Sequence, residues 1–210
     1  MGELWSVLVP VKGLARAKTR LSPLGGALRS ELALAFARDT VTAAAACPRV
    51  GEVLAVTGDP RAQRALAELG ASVVGGEPGT GLNPALEYGA AAARLRSPGQ
   101  GVCALSADLP ALRPEELERA LDDAARYPRS FVADTAGVGT TLYAAAPGAE
   151  FAPAFEGPSR RRHLRLGAVE LSRPDLPGLR RDADTPADLD AARGLGVGRY
   201  TAAALERLGL

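Results

Sequence analysis

The sequence predicts an α/β fold in which a Rossmann-like, mostly parallel central sheet is flanked by helices. Short apolar runs alternate with helical stretches through the first half of the chain, and this alternation is typical of parallel strands joined by crossover helices. One run, Val102 to Leu105, is apolar at every position, as expected of a strand that is buried on both faces. Proline, glycine and aspartate stand at the boundaries between runs. Together these features predict helices on both faces of one sheet.

Local signals place the elements of the first half in order. Pro48 ends the first helix, whereas Asp59 and Pro60 suit the N-cap and the first turn of the second. Gly70 suits the left-handed residue that follows a helix. The predicted order is strand 4–10, helix 26–47, strand 52–56, helix 60–69, strand 71–75, helix 83–96 and strand 102–105.

The second half of the chain is less regular. A helix at 114–126 precedes strands at 130–134 and 140–146, and the glycine turn at 137–139 predicts a small β-hairpin extension. A basic helix at 160–166, a short strand at 169–171 and a helix that opens at Pro186 follow. Because no linker-like stretch interrupts the 210 residues, we expect a single domain over residues 1–210.

Composition argues against several classes of function. The net charge of +1 gives no bulk attraction to nucleic acid or to an anionic membrane. No apolar run approaches the roughly 20 residues that a membrane span needs, and the N-terminus lacks the pattern of a signal peptide. Cys47 and Cys103 form no C-x-x-C pair, so zinc is not expected. Both are predicted to be buried free thiols of a cytoplasmic protein.

Aspartates follow two predicted strand ends. Asp108 comes just after the apolar strand, at the edge of the sheet where ligands bind in open α/β folds. A carboxylate there could hold Mg²⁺, which prefers oxygen ligands, or it could simply cap a helix or end a turn. Asp182 and Asp184 precede the helix at Pro186. One of them could supply a second metal carboxylate, or Asp184 or Thr185 could cap that helix.

A basic loop follows the first strand. It contains Lys12, Arg16, Lys18 and Arg20, and four cations between a strand and a helix are a credible clamp for a polyphosphate. The loop has one glycine, so it matches neither the P-loop nor the dinucleotide-binding motif. The alternative is a solvated basic loop without a ligand.

Two further stretches could contact ligands. The glycine-rich loop at 76–83 could hold a purine base with help from Asn83, or it could be a connector in which Asn83 caps a helix. Ser159, as the hydroxyl cap of a helix, and the arginines at 160–165 could attract an anion to the helix N-terminus, with hydroxyls added by Thr140 and Thr141. The single histidine, His163, could contact an anion or act as a base, but in an arginine-rich helix it is expected to be a surface residue.

Four motifs in combination resemble the CofC/FbiD family, guanylyltransferases of deazaflavin coenzyme F-420 biosynthesis. The likeness runs from residue 4 to about residue 193 and implies a nucleotidyltransferase fold related to GT-A and MobA-like enzymes. The motifs are P-V-K-G-L-A-R-A-K-T-R-L at 10–21, G-T-G-L-N-P-A-L at 79–86, S-A-D-L-P at 106–110 and D-A-D-T-P-A-D-L at 182–189.

The resemblance implies transfer of GMP from GTP to phosphoenolpyruvate, which gives enolpyruvyl-diphospho-guanosine and pyrophosphate with Mg²⁺ as cofactor. The alternatives are 2-phospho-L-lactate as the acceptor, another MobA-like nucleotidyltransferase, or a nucleotide-binding regulatory module without catalysis. A transient contact with the downstream deazaflavin transferase is also implied.

The resemblance also implies a role for each candidate residue. Asp108 with Asp182 or Asp184 would hold the metal, and Lys18 and Asp108 would act in catalysis. Lys12, Arg16, Lys18 and Arg20 would bind the triphosphate, and Leu82 and Asn83 the guanine. The phosphorylated acid would be held by Thr141, Glu156, Gly157, Ser159 and Arg160. Where the family pattern has a glycine three residues before the serine, this chain has Glu156.

Overall fold

The computed structural model describes residues 3–14, 21, 25–76 and 79–209, which form a mixed sheet of seven strands and eight helices. The strands are β1 (Trp5–Pro10), β2 (Val50–Val56), β3 (Ser72–Val74), β4 (Gly101–Leu105), β5 (Arg129–Ala133), β6 (Thr140–Ala145) and β7 (Val169–Glu170). The helices are α1 (Gly26–Ala45), α2 (Pro60–Ala67), α3 (Leu82–Arg96), α4 (Pro114–Ala124), α5 (Ser159–Arg165), α6 (Pro177–Arg180), α7 (Pro186–Leu195) and α8 (Arg199–Leu208).

The first half of the sheet is parallel, as predicted. β1 lies between β2 and β4, and β3 forms the edge beyond β2. Alternation along β1 sends Val7 and Val9 into a core that includes residues of α1, α2 and α4, whereas Leu8 packs with residues of α3. Helices therefore cover both faces of the central strands, and the predicted fold class is confirmed.

The predicted hairpin continues the sheet. β6 pairs antiparallel with both β4 and β5, which gives the strand order β3-β2-β1-β4-β6-β5-β7. Because β6 runs against β4, its first residues lie beside the carboxyl end of β4. Leu105 is opposite Leu142, and the backbone N–H of Ser106 donates to the carbonyl of Thr141 at 2.8 Å. The antiparallel strand thus brings Thr140 and Thr141 to the ligand-binding edge.

Two helices, α6 and α8, were not predicted. α8 packs on α1 through Phe36 and Leu205. The side chain of Asp39 on α1 accepts hydrogen bonds from the backbone N–H groups of Tyr200 and Thr201, at 3.0 and 2.8 Å. α8 has no side-chain cap of its own, so its first turn is satisfied by a residue far away in sequence.

Two expectations about the chain as a whole can be compared with the structure. Cys47 and Cys103 are both buried free thiols, as predicted. Among the described helices, none combines the length and the apolar character that crossing a membrane requires.

Candidate active site

A cleft opens at the carboxyl ends of β1 and β4, where the sheet topology places ligands. One cavity of about 320 Å³ reaches from Lys12 past Leu82 to Asp108 and Asp184. A second of about 470 Å³ adjoins it and reaches from Lys12 to Asp59 and to the glycine-rich loop. The two cavities share Pro10, Val11, Lys12 and Leu82.

The predicted carboxylates meet at this cleft. Asp108 and Asp184 both line the first cavity. The backbone N–H of Ala183 donates to the carbonyl of Asp108 at 3.0 Å, which fixes the D-A-D segment against the loop after β4. Burial, together with the negative charges of Asp108, Asp184 and Asp134, raises the pKa of Asp182 to about 7. Asp182 therefore lies close enough to Asp108 and Asp184 to be affected by the negative charge of both.

These carboxylates fit a cation that is completed by its substrate. In the described part of the chain, no group of three or more His, Cys, Asp or Glu side chains is arranged to hold a metal ion by itself. Mg²⁺ often takes only one or two carboxylates and completes its coordination with water and phosphate oxygens. Two carboxylates on a cavity wall, with the acidic side chain of Asp182 nearby, suit such an ion.

The structure also shows which residue caps the helix that begins at Pro186. Thr185 is the N-cap of α7, because its Oγ1 accepts from the backbone N–H of Asp188 at 3.2 Å. The Asp188 carboxylate in turn accepts from the backbone N–H of Thr185 at 3.0 Å. Asp184 lines the cavity and is not the cap. Asp134 was missed by sequence reasoning. It follows β5, accepts from the N–H groups of Val138 and Gly139, and adds to the negative field at Asp182.

Of the predicted cationic clamp, the structure describes Lys12, while Arg16, Lys18 and Arg20 lie outside the described residues. Lys12 lines both cavities. Its Nζ pairs with Oε1 of Glu156 at 3.0 Å, and both side chains are exposed. Asp59 accepts from the backbone N–H of Leu14 at 2.9 Å and so anchors the loop that carries Lys12.

The glycine-rich loop contributes in two different ways. Leu82 lines both cavities. Asn83 instead pairs with the backbone of Phe155: its Oδ1 accepts from the N–H at 2.8 Å and its Nδ2 donates to the carbonyl at 3.2 Å. The capping alternative for Asn83 is wrong, because the N-cap of α3 is Gly81. Base contact by Asn83 stays a prediction, while its described bonds position Phe155, which lines the first cavity.

The prediction that His163 is a surface residue is wrong. The ring is fully buried, stacks on Tyr143 at 4.7 Å between centroids, and also contacts Phe131 and Phe155. Burial lowers the pKa of His163 to about 4, so the ring is neutral at pH 7. Sequence reasoning considered the arginines around it, whereas the aromatic residues that cover it come from other segments.

His163 belongs to a buried polar cluster at the start of α5 and β6. Its Nδ1 lies 3.0 Å from Oγ1 of Thr140, and that oxygen lies 3.1 Å from Oγ of Ser159. The backbone N–H of Ala154 donates to Nε2 at 2.9 Å. Ser159 and His163 are four residues apart and so share one face of α5. The prediction that Ser159 caps this helix is wrong, because the N-cap is Pro158.

Thr141 stands beside this cluster. Its side chain is buried, and in the described structure its Oγ1 has no hydrogen-bond partner. A buried hydroxyl without a partner is costly unless a ligand or water satisfies it. The Thr141 carbonyl accepts from the backbone N–H of Ser106, a residue that lines the first cavity, so Thr141 is one residue pair away from the cleft.

The turn between Phe155 and α5 has left-handed backbone geometry. Glu156 has φ of 78° and is the only non-glycine residue with positive φ among those described, and Gly157 has φ of 53°. A left-handed position favours glycine, the residue that the resemblance leads us to expect here. Arg162 supports the turn by donating to the carbonyl of Glu156 at 3.1 Å.

Arg160, predicted to bind the acid, is engaged elsewhere in the described structure. Its guanidinium pairs with Glu170 on β7 at 3.0 Å, and this hydrogen-bonded pairing raises the pKa of Arg160. A second bond of 3.4 Å runs to the carbonyl of Gly137. Arg160 therefore links α5 to the edge of the sheet, and its contact with substrate stays a prediction.

Solved structures share this fold at low sequence identity. A protein assigned as a nucleotide-diphospho-sugar transferase, from Desulfovibrio desulfuricans, superposes with a TM-score of 0.70 at 19% identity, covering 97% of this chain and 94% of that one. A CMP:2-keto-3-deoxy-manno-octonic acid synthetase, solved with CTP, gives a TM-score of 0.56 at 14% identity, covering 91% of this chain and 98% of that one. These similarities establish the fold.

Sequence relatives are much closer. A phosphoenolpyruvate guanylyltransferase of Thermomonospora curvata is 58% identical over 204 residues, covering 97% of this chain and 90% of that protein. Another, of Streptomyces coelicolor, is 57% identical over 205 residues and covers 97% of both. Residues 5–170 match the family described as "Guanylyl transferase CofC like". The extent of these matches shows that the chain belongs to the CofC-like guanylyl transferase family.

Proposed function

We propose that this chain is a phosphoenolpyruvate guanylyltransferase that acts in coenzyme F-420 biosynthesis. It transfers GMP from GTP to phosphoenolpyruvate and forms enolpyruvyl-diphospho-guanosine and pyrophosphate. The observation that carries this proposal is that Lys12 and the carboxylates of Asp108 and Asp184 line one cavity at the carboxyl edge of the sheet. The relatives that bear this name at 57–58% identity support the choice of reaction.

The reaction needs positioning more than proton transfer. A phosphate oxygen of the acid attacks the α-phosphorus of GTP, one P–O bond forms, and the bond to the departing pyrophosphate breaks. Because a phosphate dianion is already a nucleophile at neutral pH, no strong base is required. Catalysis then rests on alignment of the two substrates and on neutralisation of charge.

Asp108, with Asp184 or Asp182, would hold Mg²⁺ in the cleft. When bound, the ion would neutralise charge on the phosphates and so lower the repulsion between the two anionic substrates. Asp184 is favoured as the partner of Asp108 because these two line the same cavity.

The remaining candidates divide between the two substrates. Lys12, Arg16, Lys18 and Arg20 would bind the triphosphate, with Lys18 acting in catalysis. Leu82 would pack against the guanine, and Asn83 would help to form that pocket. The acid would be held by the residues on the other side of the cleft, namely Thr141, Ser159, Arg160 and the turn at Glu156 and Gly157.

The buried hydroxyls support an anionic ligand on that side. Thr141 Oγ1 lacks a partner in the described structure, and the hydroxyl of Ser159 donates to that of Thr140, the residue before Thr141. We place the reaction in the cytoplasm and expect a transient contact with the deazaflavin transferase that consumes the product.

Pyrophosphate release tests the proposal. The purified protein is given Mg²⁺, GTP and one of three acids, phosphoenolpyruvate, 2-phospho-L-lactate or 3-phosphoglycerate, with and without the downstream transferase to trap product. We expect release with phosphoenolpyruvate and its loss in Asp108→Asn. Asp190→Asn, on the exposed face of α7, is the matched control and keeps activity. Release with 2-phospho-L-lactate alone would change the substrate, and no release with any acid would overturn the reaction.

A further inference from the structure

We propose that Asp59 recognises the base of the nucleotide, and that its carboxylate accepts a hydrogen bond from the edge of guanine that carries N1–H and the 2-amino group. This assignment rests on the proposed function, because it takes GTP as the nucleotide in the cleft. Asn83, the polar residue that the resemblance assigns to guanine, is bonded to the backbone of Phe155. Asp59 instead lines the second cavity.

The second cavity has the character of a pocket for a flat base. It has a volume of about 470 Å³ and includes residues at the carboxyl ends of β1 and β2. Its described walls are largely apolar, with side chains from Val11, Val56, Leu82 and Ala85. Sites for small organic ligands typically combine such apolar walls with a few polar groups that fix orientation. Asp59 is one of the polar groups of this cavity.

The proposed metal site indicates which part of GTP enters the second cavity. Asp108 and Asp184 line the first cavity, and Lys12 lines both. Phosphates that contact the metal and Lys12 therefore lie where the two cavities meet. The nucleoside then extends away from the metal into the second cavity. Asp59 suits this end of the nucleotide, because a carboxylate repels a phosphate but attracts an N–H donor.

The carboxylate of Asp59 is fixed and ionised before a ligand arrives. Its Oδ1 accepts from the backbone N–H groups of Arg61 and Ala62, at 2.9 and 3.2 Å. Its Oδ2 accepts from the backbone N–H of Leu14 at 2.9 Å. Burial alone would raise the pKa of Asp59, but these three backbone hydrogen bonds outweigh it and lower the pKa. At pH 7 the group is therefore a hydrogen-bond acceptor only.

The number of acceptor positions leaves one for the base. An ionised carboxylate has about four such positions, two on each oxygen. Among the described contacts of Asp59, two fall on Oδ1 and one on Oδ2, so Oδ2 can accept once more. Guanine offers two adjacent donors, N1–H and the 2-amino group. Adenine has a lone pair at N1 and a C–H at position 2, so its lone pair would face the carboxylate. The open position therefore favours guanine over adenine.

Equilibrium binding tests this preference without any turnover. Calorimetry gives the Kd of the full chain for GTP and for ATP, each with Mg²⁺. We expect the wild type to bind GTP at least about tenfold more tightly, which corresponds to about one hydrogen bond to a charged group. Equal affinities for the two nucleotides overturn the proposal. This measurement needs no variant, so it does not depend on whether a substituted chain folds.

Asp59→Asn separates base recognition from anchoring of the loop. Asparagine is about as good an N-cap as aspartate, so the start of α2 is kept. Its amide replaces one acceptor oxygen by a donor, which faces the donors of guanine. We expect the preference for GTP over ATP to fall about tenfold. Loss of the bond from Leu14 would act through the phosphates and weaken both nucleotides by the same factor. Such an equal loss, with the preference unchanged, would mean that Asp59 only anchors the loop and would overturn the proposal.

Glu156→Gln is the matched control, because Glu156 is a second carboxylate that lines this cavity. Its side chain pairs with Lys12, so its neutralisation should change the affinities for GTP and ATP by the same factor. A loss of preference as large as in Asp59→Asn would show that the charge of the cavity selects the base, and would overturn the role of Asp59.

The acid-dependent release of pyrophosphate separates this proposal from the proposed function. If Asp59 selects GTP in the binding experiment but no acid supports release, the reaction is overturned and the base contact stands. If phosphoenolpyruvate supports release but the preference for GTP does not depend on Asp59, the reaction stands and the base contact is overturned.

Discussion

The side-chain amide of Asn83 pairs with both backbone polar groups of Phe155, at 2.8 Å to the N–H and 3.2 Å to the carbonyl. These two hydrogen bonds join the first turn of α3 to the segment that leads into α5. Leu82, which lines the cleft, and the segment that leads to Ser159 are therefore held in a fixed relation. One amide couples the two proposed substrate pockets.

We predict that Asn83→Asp weakens binding of both substrates. The aspartate can still accept from the Phe155 N–H, but its second oxygen repels the carbonyl. Loss of one hydrogen bond should lower the free energy of unfolding by about 1–3 kcal/mol. The measurements are both KM values, urea unfolding, and hydrogen exchange of the peptide around residues 152–157. Unchanged exchange in that peptide would contradict a positioning role for Asn83.

The Lys12–Glu156 pair predicts a change in nucleotide affinity. In the described structure Glu156 pairs with a cation that is proposed to bind the triphosphate. Glu156→Gln should therefore lower the Kd for GTP about two- to fivefold, because an exposed ion pair contributes less than about 1 kcal/mol. Titration with GTP at low and high salt measures the effect, which should shrink as salt rises. A weaker affinity would show that Glu156 itself assists nucleotide binding.

The backbone of Glu156 gives a separate prediction for stability. Glu156→Gly and Glu156→Ala both lose the ion pair, but only glycine relieves the left-handed φ of 78°. The glycine variant should therefore be more stable than the alanine variant by about 1 kcal/mol. Urea unfolding of the two variants side by side measures the difference. Equal stabilities would mean that the turn relaxes without cost.

His163 predicts a pH dependence of stability. Its pKa is lowered to about 4 in the fold from the usual 6.5, so the unfolded chain binds a proton first as pH falls. Stability from this group is complete above pH 6.5 and is lost between pH 6.5 and pH 4. Between pH 7.5 and pH 5 the wild type should lose about 2 kcal/mol more than His163→Asn. Urea unfolding at the two pH values measures both losses. Equal losses of stability for the wild type and for His163→Asn would show that folding does not lower the pKa of His163.

Alanine substitutions of Gly178 and Gly194 test the packing around α6 and α7. A Cβ on Gly178 would lie 2.3 Å from the backbone carbonyl of Ala111, so Gly178→Ala should lower the free energy of unfolding by about 3 kcal/mol. A Cβ on Gly194, inside α7, meets nothing within 4 Å. Gly194→Ala should instead stabilise by up to about 1 kcal/mol, because alanine favours helix. Thermal unfolding of both variants should move the Tm in opposite directions.

Much of the fold could be predicted because its signals are local. Each strand of the parallel half carries its own apolar run, and Asp59 with Pro60 marks the start of α2. The strand order beyond β4 could not be predicted, since pairing of β6 with β4 depends on partners distant in sequence. α8 was missed for the same reason, because its cap comes from Asp39 on α1.

In the candidate site, too, the residues with local sequence signals were predicted and those that depend on distant contacts were not. Asp108, Asp184 and Leu82 were placed by strand ends and by a glycine-rich loop, and all three line the cleft. His163 was misjudged because the aromatic rings that bury it lie on other segments. The bonds between Asn83 and Phe155 join residues that no local pattern connects.

The bond from Ala183 to Asp108 has a consequence for the order in which the protein becomes functional. All seven strands in the described chain end by Glu170, whereas Asp184 follows later. A nascent chain that has been synthesised only as far as β7 therefore contains every strand of the described sheet. It still lacks Asp184, one of the carboxylates of the cavity. A protease that cuts between β7 and Asp184 would break the covalent link between that carboxylate and the sheet. The connection to Asp108 would then depend on non-covalent contacts alone.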